Sequence, residues 1–168
     1  MGRYVSLNFR IDARTPANPN GFVYLVRAEH PLLPEDLLLS TDPTVRLSDD
    51  PLEYGTVHQE ETYKFLLMGF VAPDDTEDAA PGTELVFPNL GSNLIPILRS
   101  TVQPTIFTIR AVRMNALDVI ELDWTDMRQV RSAGRGDQLL LTIARDDPEL
   151  QPAIEGRQTA NRFRGLHR

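Results

Sequence analysis

The sequence predicts a mainly β fold: a β-sandwich or split β-barrel carrying one short helix, with an extended arm at each end. Three observations predict it. Several segments alternate apolar and polar residues with period two, the pattern of a strand with one wet face. Thirteen Pro and ten Gly punctuate the chain, which favours many turns over long helices. The length of 168 residues, with 41% hydrophobic content, suffices for one core. Such a core buries roughly two-thirds of the unfolded surface and needs no covalent staple. The division predicted is an N-terminal arm over residues 1–21, a β domain over 22–145 and a C-terminal arm over 146–168.

Taken in order, residues 1–21 hold Pro16, Asn18, Pro19 and Asn20 with no clean period, and read as an arm. Residues 22–28 put Phe22, Tyr24 and Val26 on one strand face, and Glu29-His30-Pro31 stops the strand. Shorter strand candidates are 36–40, 45–47 and 55–58. Residues 62–70 are apolar on both faces, as a central strand is. The stretch 72–82 carries two prolines and the acids Asp74, Asp75, Glu77 and Asp78, and reads as an exposed loop before a strand at 84–87. A helix is expected over 89–100, where Asn89 or Ser92 caps the start and Leu94, Ile97 and Leu98 share a face. Pro96 is tolerated only in a first turn, which favours a start near Ser92.

In 105–113, Phe107, Ile109 and Ala111 alternate with Thr108 and Arg110. After a short connection at 114–116, residues 118–125 place Ile120, Leu122 and Trp124 inward, with Glu121, Asp123 and Thr125 on an acidic wet face. A short strand at 128–131 precedes a hairpin tip at 133–137 and a last strand at 137–145, where Leu139, Leu141 and Ile143 align. Residues 146–168 hold Pro148 and Pro152, then close on Arg162-Phe163-Arg164-Gly165-Leu166-His167-Arg168, and read as a second arm. Arms of this kind are costly to order alone and become ordered by lying on a partner.

Charge is unevenly spread. Residues 1–28 are net +3, residues 29–84 are net −12 and residues 85–168 are net +2. Lys64 is the only lysine; all other basic side chains apart from His are Arg, a bias that a GC-rich genome produces. An acidic middle argues against a grip on nucleic acid, which needs a basic footprint. It suits a surface that repels nucleic acid or meets a basic patch on a neighbour. No cysteine is present, so disulfides and thiolate metal sites are excluded. No apolar run is long enough to span a bilayer, and no signal peptide is visible.

Chemical motifs are weak. His30, His58 and His167 fall in no metal-ligand spacing, and His30 reads as a turn residue. His58 precedes Gln59-Glu60-Glu61, so a His–carboxylate metal cluster is conceivable there but is not the reading adopted. Glu121 and Asp123, i and i+2 on one strand, form the one carboxylate pair with a shared face that a hydrolase could use. The wet face of a strand accounts for them equally. Gly91-Ser92-Asn93 lacks a nucleophile elbow, Arg135-Gly136-Asp137 is a hairpin-tip sequence, and residues 42–53 lack the Ca²⁺-loop spacing. No catalytic, metal or cofactor residue is assigned, and the expectation is a protein that is not an enzyme.

The order of these pieces resembles the small tail proteins of siphophages and prophages, a domain-of-unknown-function family of phage tail proteins. The likeness runs through Tyr24-Leu25-Val26-Arg27-Ala28-Glu29-His30-Pro31, the Asp42-Pro43 turn, Tyr63-Lys64-Phe65, Pro88-Asn89-Leu90, Pro104-Thr105-Ile106-Phe107 and the closing Arg162-Phe163-Arg164-Gly165-Leu166. Pro96 in the helix and Arg164, where the family pattern often has Pro, depart from it. The resemblance implies a structural virion protein of a long noncontractile tail, or of a phage-like particle such as a gene transfer agent. It would form a homo-oligomeric ring at the distal tail, linking the tail tube protein to hub or fibre proteins, and would assemble in the bacterial host cytoplasm. No cofactor and no membrane are implied, and DNA would pass through the lumen without specific binding. The expected subunit contacts are Arg157, Arg162, Phe163, Arg164 and Arg168 against the acids Asp74, Asp75, Glu77 and Asp78. The alternative is a carbohydrate- or receptor-binding β-sandwich in which Trp124, Tyr54 or Tyr63 forms an exposed platform.

Overall fold

The computed structural model describes residues 5–15, 21–72, 82–88, 98, 103–135 and 138–145. A helix, α1 (Leu7–Arg14), leads into ten strands: β1 (Phe22–Glu29), β2 (Leu37–Ser40), β3 (Val45–Asp49), β4 (Leu52–His58), β5 (Glu61–Phe65), β6 (Gly69–Phe70), β7 (Gly82–Pro88), β8 (Ile106–Arg113), β9 (Ala116–Arg135) and β10 (Gln138–Arg145). All ten join one open sheet in the order β3-β4-β5-β2-β1-β8-β9-β10-β7-β6. Every pairing is antiparallel except β2 with β5.

The sheet buries both faces of β1, and this gives the molecule two cores. Val26 and Ala28 face the larger one, with Leu85 and Phe87 of β7, Phe107 and Ile109 of β8, Trp124 and Met127 of β9, and Leu139, Leu141 and Ile143 of β10. Val23 and Leu25 face the smaller one, with Tyr63 of β5 and Val112 of β8. The two ends of the sheet therefore curl over opposite faces of its centre. At one end Phe70 of β6 reaches Tyr24 of β1, with ring centroids 4.4 Å apart. At the other, the His58 Nδ1–H donates to the Leu117 carbonyl at 2.6 Å and Gln59 N–H to Asp118 Oδ1 at 3.0 Å, tying the β4–β5 hairpin to the start of β9. The expected sandwich-like, mainly β fold is what forms, and its hydrogen-bonded ladder is not closed.

Three elements differ from the sequence-based expectation. The two segments expected at 118–125 and 128–131 are one strand, β9, kept continuous by a bulge. The register shifts between Phe107 and Ile109 of β8, and Asp126 sits opposite with φ 56°. The extra residue resets the alternation, so Trp124 and Met127 both point inward. The segment 62–70 is not one central strand. It ends β5 at Phe65 and crosses through Leu66 to Met68 before β6. Its apolar run at 65–68 owes its length to that crossing, because Leu66 and Met68 pack on the larger core.

The third difference lies in the N-terminal arm, which contains α1. Ser6 caps it, its Oγ accepting from Phe9 N–H at 3.1 Å. Phe9 packs on Phe22 at 4.5 Å. Two turns with Leu7 and Ile11 turned to solvent leave little apolar period for a sequence pattern to reveal. The helix expected at 89–100 lies outside the described residues apart from Leu98, which is helical and buried in the larger core.

The β4–β5 turn places Gln59 at φ 47° and Glu60 at φ 70° between the paired His58 and Glu61. Two consecutive left-handed residues make a type I′ turn, normally the province of Asn and Gly. Glu60 is exposed. Glu60→Gly is therefore expected to raise stability by about 0.5–1 kcal/mol, the relief of left-handed strain exceeding the added chain entropy. A urea unfolding curve checks it through a higher midpoint at unchanged slope.

Candidate functional site

The surface that stands out is the end of the sheet formed by β3 and β4. Among the described residues no strand pairs with the outer edge of β3. The ladder between β3 and β4 slips by one residue at Leu47, so Arg46 lies opposite Tyr54 and Asp49 opposite Leu52. That slip brings Arg46, Asp49, Leu52 and Tyr54 onto one face, where Arg46 and Asp49 pair at 2.6 Å. The other face carries Val45, Glu53, Val57 and Lys64, the last paired to Glu53 at 3.1 Å. Val45, Leu52, Tyr54 and Val57 are 40–56% exposed, an unusual concentration for one hairpin. β4 is tied to β9 at His58, the end of the strand away from the β3–β4 turn. Gly55 lets it lie flat on β5, since a Cβ there would stand 2.7 Å from Leu47 Cδ1 and closer still to the Tyr63 carbonyl oxygen.

The half of the sheet from β3 to β1 is acidic. Residues 29–72 hold nine carboxylates against Arg46 and Lys64. Arg27 on β1 lies among three of them: Asp36 at 2.5 Å, Glu61 at 3.0 Å and Glu29 at 3.3 Å. The hydrogen bond to Asp36 is the main reason its guanidinium holds its proton even more firmly than usual. Glu61 also accepts from the Tyr63 hydroxyl at 2.9 Å. Burial first, and this hydrogen bond second, push the Tyr63 phenol up to about 12. The neutral phenol is thus favoured by folding, so its contribution is complete below the ordinary value of 10 and is lost as pH rises towards 12. Stability of the wild type is expected to fall across that window, and Tyr63→Phe to flatten the fall. Urea midpoints taken at pH 9 and above test this.

A cleft of about 560 Å³ opens beside Arg27, lined by Glu29, His30, Asp36, Gln103, Pro104 and Arg128 among others. His30 is committed to structure there. Leu32 N–H donates to Nδ1 at 3.1 Å, so Nε2 carries the proton and donates to the Gln103 carbonyl at 2.9 Å. With both ring nitrogens used, the side chain pins the turn after β1 to the segment before β8 and has no lone pair for a metal or a substrate proton. His58 is fully buried and serves as the tie to β9.

Glu121 and Asp123 do not share a wet face. Glu121 is buried, accepting from Ser6 Oγ at 2.8 Å, Ser6 N–H at 3.2 Å and Arg113 Nε at 2.9 Å. Burial alone would raise this carboxyl, but the Ser6 and Arg113 hydrogen bonds outweigh it and hold the group below its ordinary range. Asp123 is partly exposed and sits 3.7 Å from Arg110. The alternation pattern failed because the β8–β9 register slips at Glu121, between the Ala111–Leu122 and Val112–Ile120 pairs, and because Ser6 arrives from 115 residues away. Of the aromatic platform candidates, Trp124 and Tyr63 are core residues and Tyr54 alone is exposed. The expected contact residues Arg157, Arg162, Phe163, Arg164 and Arg168, and Asp74, Asp75, Glu77 and Asp78, lie outside the described residues. No described helix is long and apolar enough to cross a membrane. No protein-family model matches the chain, and no curated protein matches it.

Proposed function

We propose that the chain is a structural subunit of a long noncontractile phage tail, or of a related phage-like particle. In this reading it forms a ring at the distal tail, between the tube and the hub or fibre proteins. The observation that supports this best is the β3–β4 end of the open sheet: a strand edge with no partner among the described residues, flanked on both faces by exposed apolar side chains. Such an edge is an aggregation hazard that the bulge at Leu47 and the Arg46–Asp49 pair blunt only in part, and pairing or covering it removes the rest. Association with further copies does this, and a head-to-tail contact that closes makes a ring. The order of sequence pieces resembling phage tail proteins supplies the setting.

The acidic lobe has two uses within that ring. Either it lines a lumen through which DNA slides without sticking, or it receives a basic surface of the next subunit. Salt separates them: assembly through charge weakens as ionic strength rises, whereas lumen charge leaves assembly unaffected. The reading is tested by negative-stain imaging of the purified protein with isolated tail tubes. Rings, or densities capping one tube end, are expected. Tubes whose ends stay bare at every protein concentration would remove the distal-tail placement.

A further inference from the structure

We propose that the outward face of α1 in one copy docks on the tip of the β3–β4 hairpin of the next. This rests on the ring-subunit reading and specifies how one subunit grips its neighbour. α1 touches its own sheet through Ser6, Phe9 and Asp12. The opposite stripe, Leu7, Arg10, Ile11 and Arg14, follows the i, i+3, i+4, i+7 spacing of one helix face. All four are exposed, Leu7 to 72% and Ile11 to 53%. Among the described residues no carboxylate pairs with Arg10 or Arg14, and Asp12 is turned to Arg113. The stripe is thus both apolar and cationic.

The hairpin tip has the complementary chemistry. Residues 45–58 hold Asp49, Asp50 and Glu53 against Arg46. Asp49 is occupied by Arg46, and Glu53 by Lys64 of β5. That leaves Asp50, which is exposed at the turn and has no cation partner among the described residues. Leu52 and Tyr54 follow it on one face, both exposed. The spacings match. Leu7 and Ile11 stand about 6 Å apart along a helix axis, and Leu52 and Tyr54 about 7 Å apart along a strand. With Leu7 over Tyr54 and Ile11 over Leu52, Arg14 lies about 4–5 Å further on, towards Asp50. The reverse direction would carry Arg14 away from Asp50, so charge sets the direction. The contact joins two different surfaces, so copies add head to tail and can close into a ring. Each copy then uses both surfaces, and closure multiplies a modest pairwise affinity.

The absence of cysteine allows a direct test in the full-length protein. Ile11→Cys and Leu52→Cys are prepared as separate variants, mixed under mild oxidation and resolved by mass. The expected product is the mixed disulfide dimer, in excess over either homodimer. Using Val57→Cys in place of Leu52→Cys moves the thiol to the other face of β4 and should lose the mixed product. Homodimers alone, no cross-link, or an equal yield with Val57→Cys would overturn the inference. A variant carrying both Ile11→Cys and Leu52→Cys should give a ladder of linked copies. A product that stops at the dimer, or an internal cross-link in the monomer, would overturn the head-to-tail contact.

Charge reversal gives an independent readout. Arg14→Glu and Asp50→Arg are each expected to weaken association about tenfold at low salt. Combined in one protein, the two changes should restore it. Both sites are exposed, and far-UV circular dichroism with a thermal melt establishes that each variant is folded. Failure of the combined variant to recover, or undiminished assembly of both single variants, would overturn the docking of α1 on the hairpin and leave the ring reading standing. A wild type that never associates would remove both.

Discussion

Gly55→Ala is expected to destabilise the protein by about 3 kcal/mol, which for a chain of this size lowers the melting temperature by roughly 10 °C. The reason is space and not backbone conformation. An added methyl group would meet Leu47 Cδ1 at 2.7 Å and the Tyr63 carbonyl oxygen closer still. Leu47 can swing aside, but the Tyr63 oxygen belongs to the β4–β5 ladder, where Gly55 pairs with Lys64 and Thr56 with Tyr63. Relief therefore requires β4 to lift from β5. Lifting it would strain the Tyr63 side chain in the smaller core and the His58 tie to Leu117. Gly21→Ala is the control. Its added methyl would lie 3.6 Å from Met114 Cε, an ordinary contact, and a change within about 0.5 kcal/mol is expected. Equal effects at the two positions, read by thermal melts, would contradict the close approach at Gly55.

Glu121→Ala is expected to cost about 3–5 kcal/mol, because it strips a buried charge of its partner. Arg113 is only 13% exposed in its side chain and would keep, among the described residues, Asp12 at 4.0 Å as its carboxylate. Ser6 would lose an acceptor for both its N–H and its hydroxyl, so the start of α1 would loosen with it. Glu121→Gln preserves the shape and is expected to cost less. It also separates the charge from the hydrogen bonds through pH. The folded carboxyl titrates below its ordinary value of 4.5, so its ionised form contributes stability that is complete above that value and lost as pH falls beneath it. The gap between wild type and Glu121→Gln should therefore be constant from pH 7 to about 5 and shrink on further acidification. Urea midpoints across that range measure it, and a gap that widened in acid would reverse the assignment.

These two residues mark where the sequence could be read and where it could not. Period-two alternation located most of the strands, because most inward positions are filled by apolar residues from neighbouring strands. It even located β1, although that strand buries both faces: Phe22, Tyr24 and Val26 stood out, while Val23 and Leu25 were masked by them. The pattern failed wherever a residue's partner is remote. Glu121 looked like a wet-face acid until Ser6 came to it across the sheet. The bulge at Asp126 looked like a strand end, since one inserted residue inverts the phase. The crossing at Leu66 to Met68 looked like a strand interior, since covering a core demands the same apolar side chains as lying inside it. α1 is too short and too lightly packed to leave a period.

The candidate surface was half legible. The acidic bias of the region could be counted directly. The clustering of Arg46, Asp49, Leu52 and Tyr54 could not, because it depends on the one-residue slip at Leu47 that places them on a common face.

The ring reading proposed above requires that the protein associate with copies of itself. Sedimentation velocity of the full-length protein over a hundredfold concentration range, at low and at high salt, tests it most directly. A discrete closed oligomer that forms cooperatively as concentration rises is expected, its salt dependence separating docking through charge from a charged lumen. A single monomeric boundary throughout, unchanged by salt or by added tail tubes, would contradict it.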